Sequence, residues 1–148
     1  MVINIILGAI LPWIILVYLY KRDSKIVVLF VPFAIALAFI ANDWGQEIFW
    51  VVTPYFENPS LSTLPINLGY FPLLACLLVY IKIKKVVNNR ILLTFSISGA
   101  IALEFTALTF GKVIYLNNWN LFYTSFIYLG GALVTLSYLY LLQKFNFI

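Results

Sequence analysis

Long runs of apolar residues, separated by short polar segments, make up most of this chain. Five runs are long enough to cross the hydrocarbon core of a bilayer, which takes about 20 residues. Backbone groups inside a membrane must find their hydrogen bonds within the structure, so each run predicts an α-helix. Runs such as ILLTFSISGAIAL lack the alternating polarity of a membrane β-strand. The sequence therefore predicts an all-α integral membrane bundle in one domain over residues 1–148, with helices at about 2–20, 26–44, 66–83, 91–110 and 121–142.

The C-terminal end of the second helix is the least defined of the predicted helix boundaries, because polar residues begin at Asn42. The helix either ends near Asn42 or continues past Glu47, in which case Asp43 and Glu47 share a helical face. The favoured interpretation ends it at about residue 44. Residues 45–65 are then an outer interfacial segment and loop. Trp44, Trp50 and Trp119 are expected to lie in one aromatic belt at the level of the lipid headgroups.

Composition supports a membrane environment. Hydrophobic residues make up 64% of the chain and charged residues only 9%, whereas soluble domains carry roughly 25% charged residues. The first apolar run has neither a basic start nor a small-residue cleavage site, so it is interpreted as a retained helix rather than a signal peptide.

The charged residues orient the predicted bundle. Basic residues cluster after the first and third helices: Lys21, Arg22 and Lys25, then Lys82, Lys84, Lys85 and Arg90. The segment between the second and third helices contains no Lys or Arg. Because basic loops stay in the cytoplasm, we expect a multi-pass plasma-membrane protein with its N-terminus outside and its C-terminus inside. The same pattern accounts for the basic pI, so no nucleic acid partner is expected.

Glu104 is the most informative polar residue, because it lies about 20 Å along the fourth helix. A carboxylate at that depth costs on the order of 2–3 kcal/mol, so it should face the bundle interior, be protonated or pair with another group. We expect it to approach Tyr128 or Thr124 on the fifth helix, or Lys112 near the end of its own. It is either a proton-linked or ligand-binding group or a structural anchor between helices. The fifth helix offers a matching polar stripe, which either packs against a neighbour or lines a cavity: Thr124, Tyr128, Gly131, Thr135 and Tyr138.

Other candidate residues lie in the outer layer. Asn67 and Lys112 are polar groups close to predicted helix ends. Asp43 and Glu47, with Glu57, are either the oxygen ligands of a divalent cation or a solvated rim, and the rim is favoured. The candidate binding or proton-linked residues are therefore Glu104, Lys112, Asn67, Tyr128, Asp43 and Glu47.

Trp13 lies well inside the first helix, so its indole N–H requires an internal acceptor. Prolines within three of the predicted helices, Pro12, Pro32 and Pro72, predict kinks.

Several chemistries are excluded. The chain has no histidine and a single cysteine, Cys76, which rules out histidine-based triads, histidine-ligated zinc and thiolate metal clusters. No glycine-rich phosphate loop is present, and Gly130–Gly131 is interpreted as a close helix contact. No catalytic residue, metal or cofactor is expected.

Three segments carry a resemblance to other proteins: LPW at residues 11–13, LPINLGYFP at 64–72 and LEFTALTFGKVIYLNNWN at 103–120. Together they resemble a group of small multi-spanning membrane proteins of spore-forming Gram-positive bacteria that has no established activity. The resemblance implies a bacterial membrane protein and assigns no catalytic residue.

Three functions remain open. The favoured one is a non-enzymatic protein that binds a lipid, a small solute or a membrane partner through its outer half. The second is an oligomeric transporter or channel component that uses Glu104. The third is a lipid-modifying enzyme, disfavoured because no acid–base pair is recognisable. A homo-oligomer or another membrane subunit is the expected protein partner, and the bilayer is the expected surroundings.

Overall fold

The computed structural model describes residues 1–148, and most of the chain is helical. Its five long helices are α1 (Val2–Arg22), α2 (Ser24–Gly45), α3 (Pro59–Ile83), α4 (Asn89–Thr109) and α5 (Leu121–Lys144). All five are long and apolar enough to cross a membrane, as the hydrophobic pattern predicted.

Helix α3 begins seven residues earlier than predicted, within the segment interpreted as a loop. Asn58 caps it, because the Asn58 side chain accepts a hydrogen bond from the backbone N–H of Ser60. Pro59 occupies the first turn, where its missing N–H costs nothing. The prediction of a loop up to residue 65 was therefore wrong, and the composition that suggested a loop is that of a helix start.

Helix α2 ends at Gly45, where Gln46 turns into extended backbone. A side chain on Gly45 would overlap the ring of Trp50, so glycine allows the following segment to fold back onto the helix. Glu47 lies beyond the helix with a positive φ of 69°. The helical pairing of Asp43 with Glu47 is therefore not formed.

Two short strands depart from the all-α prediction. Strands β1 (Trp50–Val52) and β2 (Val113–Tyr115) pair antiparallel, with Trp50 opposite Tyr115 and Val52 opposite Val113. They join the α2–α3 connection to the α4–α5 connection. Because each strand has three residues, neither is long enough to show a two-residue period in the sequence.

The ends of the bundle differ in charge. At one end Lys84 and Asp23 form an ion pair at 3.7 Å, which brings the two basic turns together. At the other end Asn4 donates a hydrogen bond to the carbonyl of Thr53 at 2.6 Å, and the hydroxyl of Thr53 donates to the carbonyl of Gly111 at 2.7 Å. The small sheet thus closes the end that also carries Asp43, Glu47 and Glu57.

The packed core lies between α1, α2 and α3 and includes the last turns of α5. Its centre is a cluster that contains Leu16, Phe30, Cys76 and Leu139. Helix α4 contributes no residue to this cluster. Helix α5 therefore leans against the three-helix core at its C-terminal end, and α4 stands further out.

Helices α1 and α3 cross with their backbones in close contact. A Cβ atom on Gly69 would meet the carbonyl of Gly8 and would lie 2.7 Å from the Cα of Ala9. Both helices contain a π-helical turn here, Ile6–Ile10 and Ile66–Tyr70, and each is followed by a proline. Such turns accommodate a missing backbone N–H by shifting the hydrogen-bond register.

The same crossing supplies the acceptor for Trp13. In a regular α-helix the carbonyl of Leu68 would accept from residue 72, but Pro72 has no N–H. The indole of Trp13 donates to this carbonyl at 2.9 Å. The prediction of an internal acceptor for Trp13 is confirmed, and one proline of α3 is part of the reason.

Replacing Gly69 by alanine should separate α1 from α3. The added methyl group meets backbone atoms, which cannot move aside as a side chain can. We expect a loss of about 1–3 kcal/mol in the free energy of unfolding, measured by denaturant titration in detergent. Gly130→Ala is the matched control, because nothing lies within 4 Å of its added Cβ, and it should be neutral or stabilising. Equal effects of the two substitutions would contradict the close crossing.

Candidate functional site

A groove of about 670 Å³ separates α4 and α5 from α2 and α3. Of its 32 lining residues, 25 are hydrophobic. It extends from Ile91 to Glu104 along α4, a length of about 20 Å, and reaches Val52 and Val113 of the sheet. Its volume and its apolar lining with few polar groups are typical of a binding site for a small organic molecule.

The groove opens along the side of α4. Phe95 and Leu103 line it, yet they are 75% and 54% exposed. Gly99 and Gly131 also line it, and nothing lies within 4 Å of a Cβ built on either. The space beside α4 and α5 is therefore unfilled by protein, and a molecule has access to it from the side of the bundle.

The interpretation of Gly130–Gly131 as a close helix contact was wrong. No neighbouring atom lies within 4 Å of a Cβ at either position. Gly131 instead widens the groove, while Gly130 lies outside it. Paired glycines in a helix are compatible with either a close contact or an open space, and only the tertiary structure distinguishes the two.

Polar groups converge on Glu104 at one end of the groove. Its Oε2 accepts a hydrogen bond from the hydroxyl of Tyr128 at 3.0 Å, and its Oε1 accepts one from Tyr115 at 3.1 Å. Glu104, Tyr128 and Thr124 all line the groove. The predicted approach to Tyr128 is thus observed, and most of the predicted polar stripe of α5 faces the groove.

Trp119, at the far end of a series of hydrogen bonds that leads to Glu104, fixes which group donates at each step. The indole of Trp119 can only donate, and it donates to the hydroxyl of Thr124 at 2.8 Å. That hydroxyl lies 2.8 Å from the hydroxyl of Tyr115, which in turn donates to Glu104. In this arrangement each hydroxyl donates to the next, and the carboxylate is the final acceptor.

Tyr115 remains protonated in this arrangement. Burial raises the pKa of its phenol, and the nearby negative charge of Glu104 raises the pKa further. The group therefore stays a hydrogen-bond donor throughout the physiological pH range. Sequence reasoning missed Tyr115 because it lies on β2, outside the predicted helices. A tyrosine close beyond the end of a helix that carries a buried carboxylate was the available signal.

No basic side chain of the protein pairs with Glu104. The single ion pair of the chain is Lys84–Asp23, at the opposite end of the bundle. Lys112 uses its backbone carbonyl to accept from the N–H of Thr53 at 2.9 Å, and its ammonium group forms no ion pair. The alternative approach of Glu104 to Lys112 is therefore not observed.

Asn67 belongs to a second polar network, behind the groove. Its side chain is completely buried; it accepts from Asn42 at 2.6 Å and donates to Thr63 at 3.2 Å. The side chain of Asn42 in turn accepts from the indole of Trp50 at 3.3 Å. Asn42 and Trp50 line the groove and Asn67 does not. The structure thus gives Asn67 a role in joining α2 to α3.

Asp43 and Glu47 have separate partners. Asp43 accepts a hydrogen bond from the hydroxyl of Ser60 at 2.7 Å, and Glu47 accepts one from the hydroxyl of Tyr55. This bond is the main reason that the pKa of the exposed Tyr55 is raised. No group of three acidic, histidine or cysteine side chains in the chain is arranged to hold a metal ion. The geometry favours a solvated rim over a cation site.

Aromatic residues cover the sheet end of the groove. The ring of Phe49 contacts Trp44, Trp50 and Trp119, with centroid distances of 5.1, 6.1 and 4.4 Å. The three tryptophans expected in the aromatic belt are therefore neighbours. Their position at the headgroup level of a bilayer stays a prediction.

Comparison with known protein families, with functionally characterised proteins and with solved structures gave no significant match. The function must therefore be inferred from the groove and its polar end.

Removing the hydroxyl of Tyr128 should destabilise the protein by about 1–3 kcal/mol, because Glu104 then loses one of its two donors in apolar surroundings. Tyr138→Phe is the matched control on the same helix. Tyr138 stacks on Phe33 at 4.2 Å through its ring, and its hydroxyl forms no hydrogen bond. Thermal unfolding of Tyr128→Phe and Tyr138→Phe in detergent measures the difference. Equal melting temperatures would show that the bond to Glu104 contributes nothing to stability.

Proposed function

We propose that this chain is a multi-pass plasma-membrane protein of a bacterium, with its sheet end outside the cell. Five helices of sufficient length and apolarity support insertion. The two basic turns meet at one end of the bundle, through Lys84 and Asp23, and the acidic residues lie at the other. Basic segments remain on the cytoplasmic side, which gives an external N-terminus and an internal C-terminus.

The orientation predicts which loops are labelled in intact cells. Glu57 and Val86 are exposed residues in the connections at opposite ends of the bundle. In a Cys76→Ala background, Glu57→Cys should react with a membrane-impermeant maleimide from outside. Val86→Cys should react only after the membrane is permeabilised. Labelling of Val86→Cys alone in intact cells would reverse the orientation, and equal labelling of both would contradict it.

Within that membrane, we propose that the protein binds one amphiphilic molecule in the groove. The observation that carries this proposal is the position of Glu104. A hydrogen-bonded carboxylate lies at the end of an apolar groove that opens to the side of the bundle. The groove offers space for a hydrocarbon chain, and the carboxylate offers a partner for a polar head. The protein acts by binding and not by catalysis in this proposal.

The lining favours an apolar chain over an aqueous path. The polar lining residues are few and most of them lie toward the sheet end, around Glu104 and Thr124. The remaining length is lined by side chains such as Leu78 and Ile97 and by glycine. A bilayer surrounds the exposed edge of α4 in the proposed setting, so a lipid-like molecule enters sideways without crossing water. A transport path for polar solutes would need polar groups along its whole length.

Filling the groove should abolish binding without harming the fold. Gly131→Leu places a side chain in the groove, where nothing lies within 4 Å of the added Cβ. Gly130→Leu is the matched control, because it adds the same side chain one residue away, outside the groove. Both substitutions replace glycine within a helix, so both should preserve or slightly raise stability.

The probes are three sixteen-carbon amphiphiles brominated at mid-chain: hexadecylamine, hexadecan-1-ol and hexadecyl sulfate. Bromine quenches nearby indoles, and Trp50 lines the groove. In lipid nanodiscs, at least one probe should quench saturably with the wild type and Gly130→Leu. With Gly131→Leu, only the linear quenching that follows partition into the bilayer should remain. Identical curves for all three proteins, with all three probes, would refute the proposal.

A further inference from the structure

We infer that the amphiphile bound in the groove carries a positively charged head group, such as a primary ammonium. This inference rests on the proposed binding function and specifies the class of ligand. It depends on three features of the site: the direction of the hydrogen bonds to Glu104, the lack of a basic side chain that pairs with Glu104, and the aromatic rings of Phe71 and Tyr128 in the groove lining.

The protein supplies Glu104 with donors and leaves acceptor sites unused. Tyr115 and Tyr128 each donate one hydrogen bond, one to each oxygen. A carboxylate has about four acceptor positions, so about two remain. Trp119 donates to Thr124, and Thr124 donates to Tyr115, so the proton of Tyr115 is left to bond Glu104. Every hydrogen bond of this network is therefore formed when Glu104 acts as an acceptor. A ligand that completes the site is therefore a donor.

An ionised carboxylate in apolar surroundings is stabilised by a positive partner. Carboxylates within membranes pair with cations or lie in protein cavities, because leaving such a charge unpaired is costly. No Lys or Arg of this chain pairs with Glu104. In the proposed complex the bound amphiphile supplies this partner. The apolar groove favours a cation that carries a hydrocarbon chain.

The surroundings of Glu104 suit an ammonium group. The rings of Phe71 and Tyr128 lie 6.5 Å apart, and both line the groove. Aromatic faces attract cations, most strongly where water is excluded. An anionic head group would be repelled by the carboxylate. A neutral alcohol would form a hydrogen bond without gaining the attraction of opposite charges.

The three brominated probes test the charge directly, because they share a chain and differ only in the head. With wild-type protein at neutral pH, hexadecylamine should bind at least about tenfold more tightly than hexadecan-1-ol, since charge-assisted bonds are roughly twice as strong as neutral ones. Hexadecyl sulfate should show no saturable quenching.

Glu104→Gln is the decisive variant, because glutamine removes the charge while it keeps the shape of the side chain and one of the two acceptor oxygens. Its affinity for hexadecylamine should fall to that for hexadecan-1-ol, while hexadecan-1-ol binds as it does to the wild type. Thermal unfolding of the variant without probe shows that the fold is retained. If the melting temperature falls by more than that of Tyr128→Phe, Glu104→Asp serves as the second variant, and it should keep the preference for the amine.

The outcomes separate the two proposals. Groove-dependent binding in which the alcohol or the sulfate equals or exceeds the amine would overturn the cationic head and leave the binding function standing. An amine preference that survives in Glu104→Gln would likewise overturn the assignment to Glu104. Absence of groove-dependent quenching by every probe would overturn both. Efficient self-crosslinking of Phe95→Cys together with that absence would assign the groove to a second copy of the chain.

Discussion

Polar groups enclosed by apolar surroundings must find their partners within the protein, and this constraint organises the whole bundle. The indole of Trp13 reaches the carbonyl of Leu68 and so links α1 to α3. Asn42 and Asn67 link α2 to α3. Glu104 completes the pattern, because Tyr128 and Tyr115 join α4 to α5 and to the sheet. These three contacts between elements therefore each contain a polar pair.

The two halves of the bundle satisfy this constraint in different ways. Helices α1, α2 and α3 pack closely around their polar pairs, and backbone meets backbone at Gly8 and Gly69. Helices α4 and α5 meet through the network around Glu104 and leave the groove open beside them. Glycine therefore has opposite roles in the two halves: Gly69 permits contact, whereas Gly131 leaves space. A tightly packed half that supports a loosely packed half is an arrangement suited to binding a molecule of the bilayer.

The sequence predicted the elements that depend only on residues close together in the chain. Hydrophobic runs specified all five helices, and the polar stripe of the fifth helix included Tyr128 among the three candidate partners of Glu104. The missed features depend on contacts distant in sequence. Tyr115 reaches Glu104 only because β2 folds back over the end of α4, and its three-residue strand carries no recognisable pattern. The open space beside Gly130 and Gly131 depends on how closely the other helices approach α5. Asn58 and Pro59 did carry a local helix-start signal, which the polar composition of that segment obscured.

In the proposed complex, Glu104 holds the charged head of an amphiphile. Solid-state NMR tests it most directly, by measuring the dipolar coupling between ¹⁵N-labelled hexadecylamine and the ¹³C-labelled carboxyl carbons of glutamate in the membrane-embedded protein. We expect a nitrogen within about 4 Å of one carboxyl carbon, as in a hydrogen-bonded ion pair. The coupling should be lost in Glu104→Gln and in Gly131→Leu. A coupling that persists in both variants, or no coupling in the wild type under saturating amine, would contradict it.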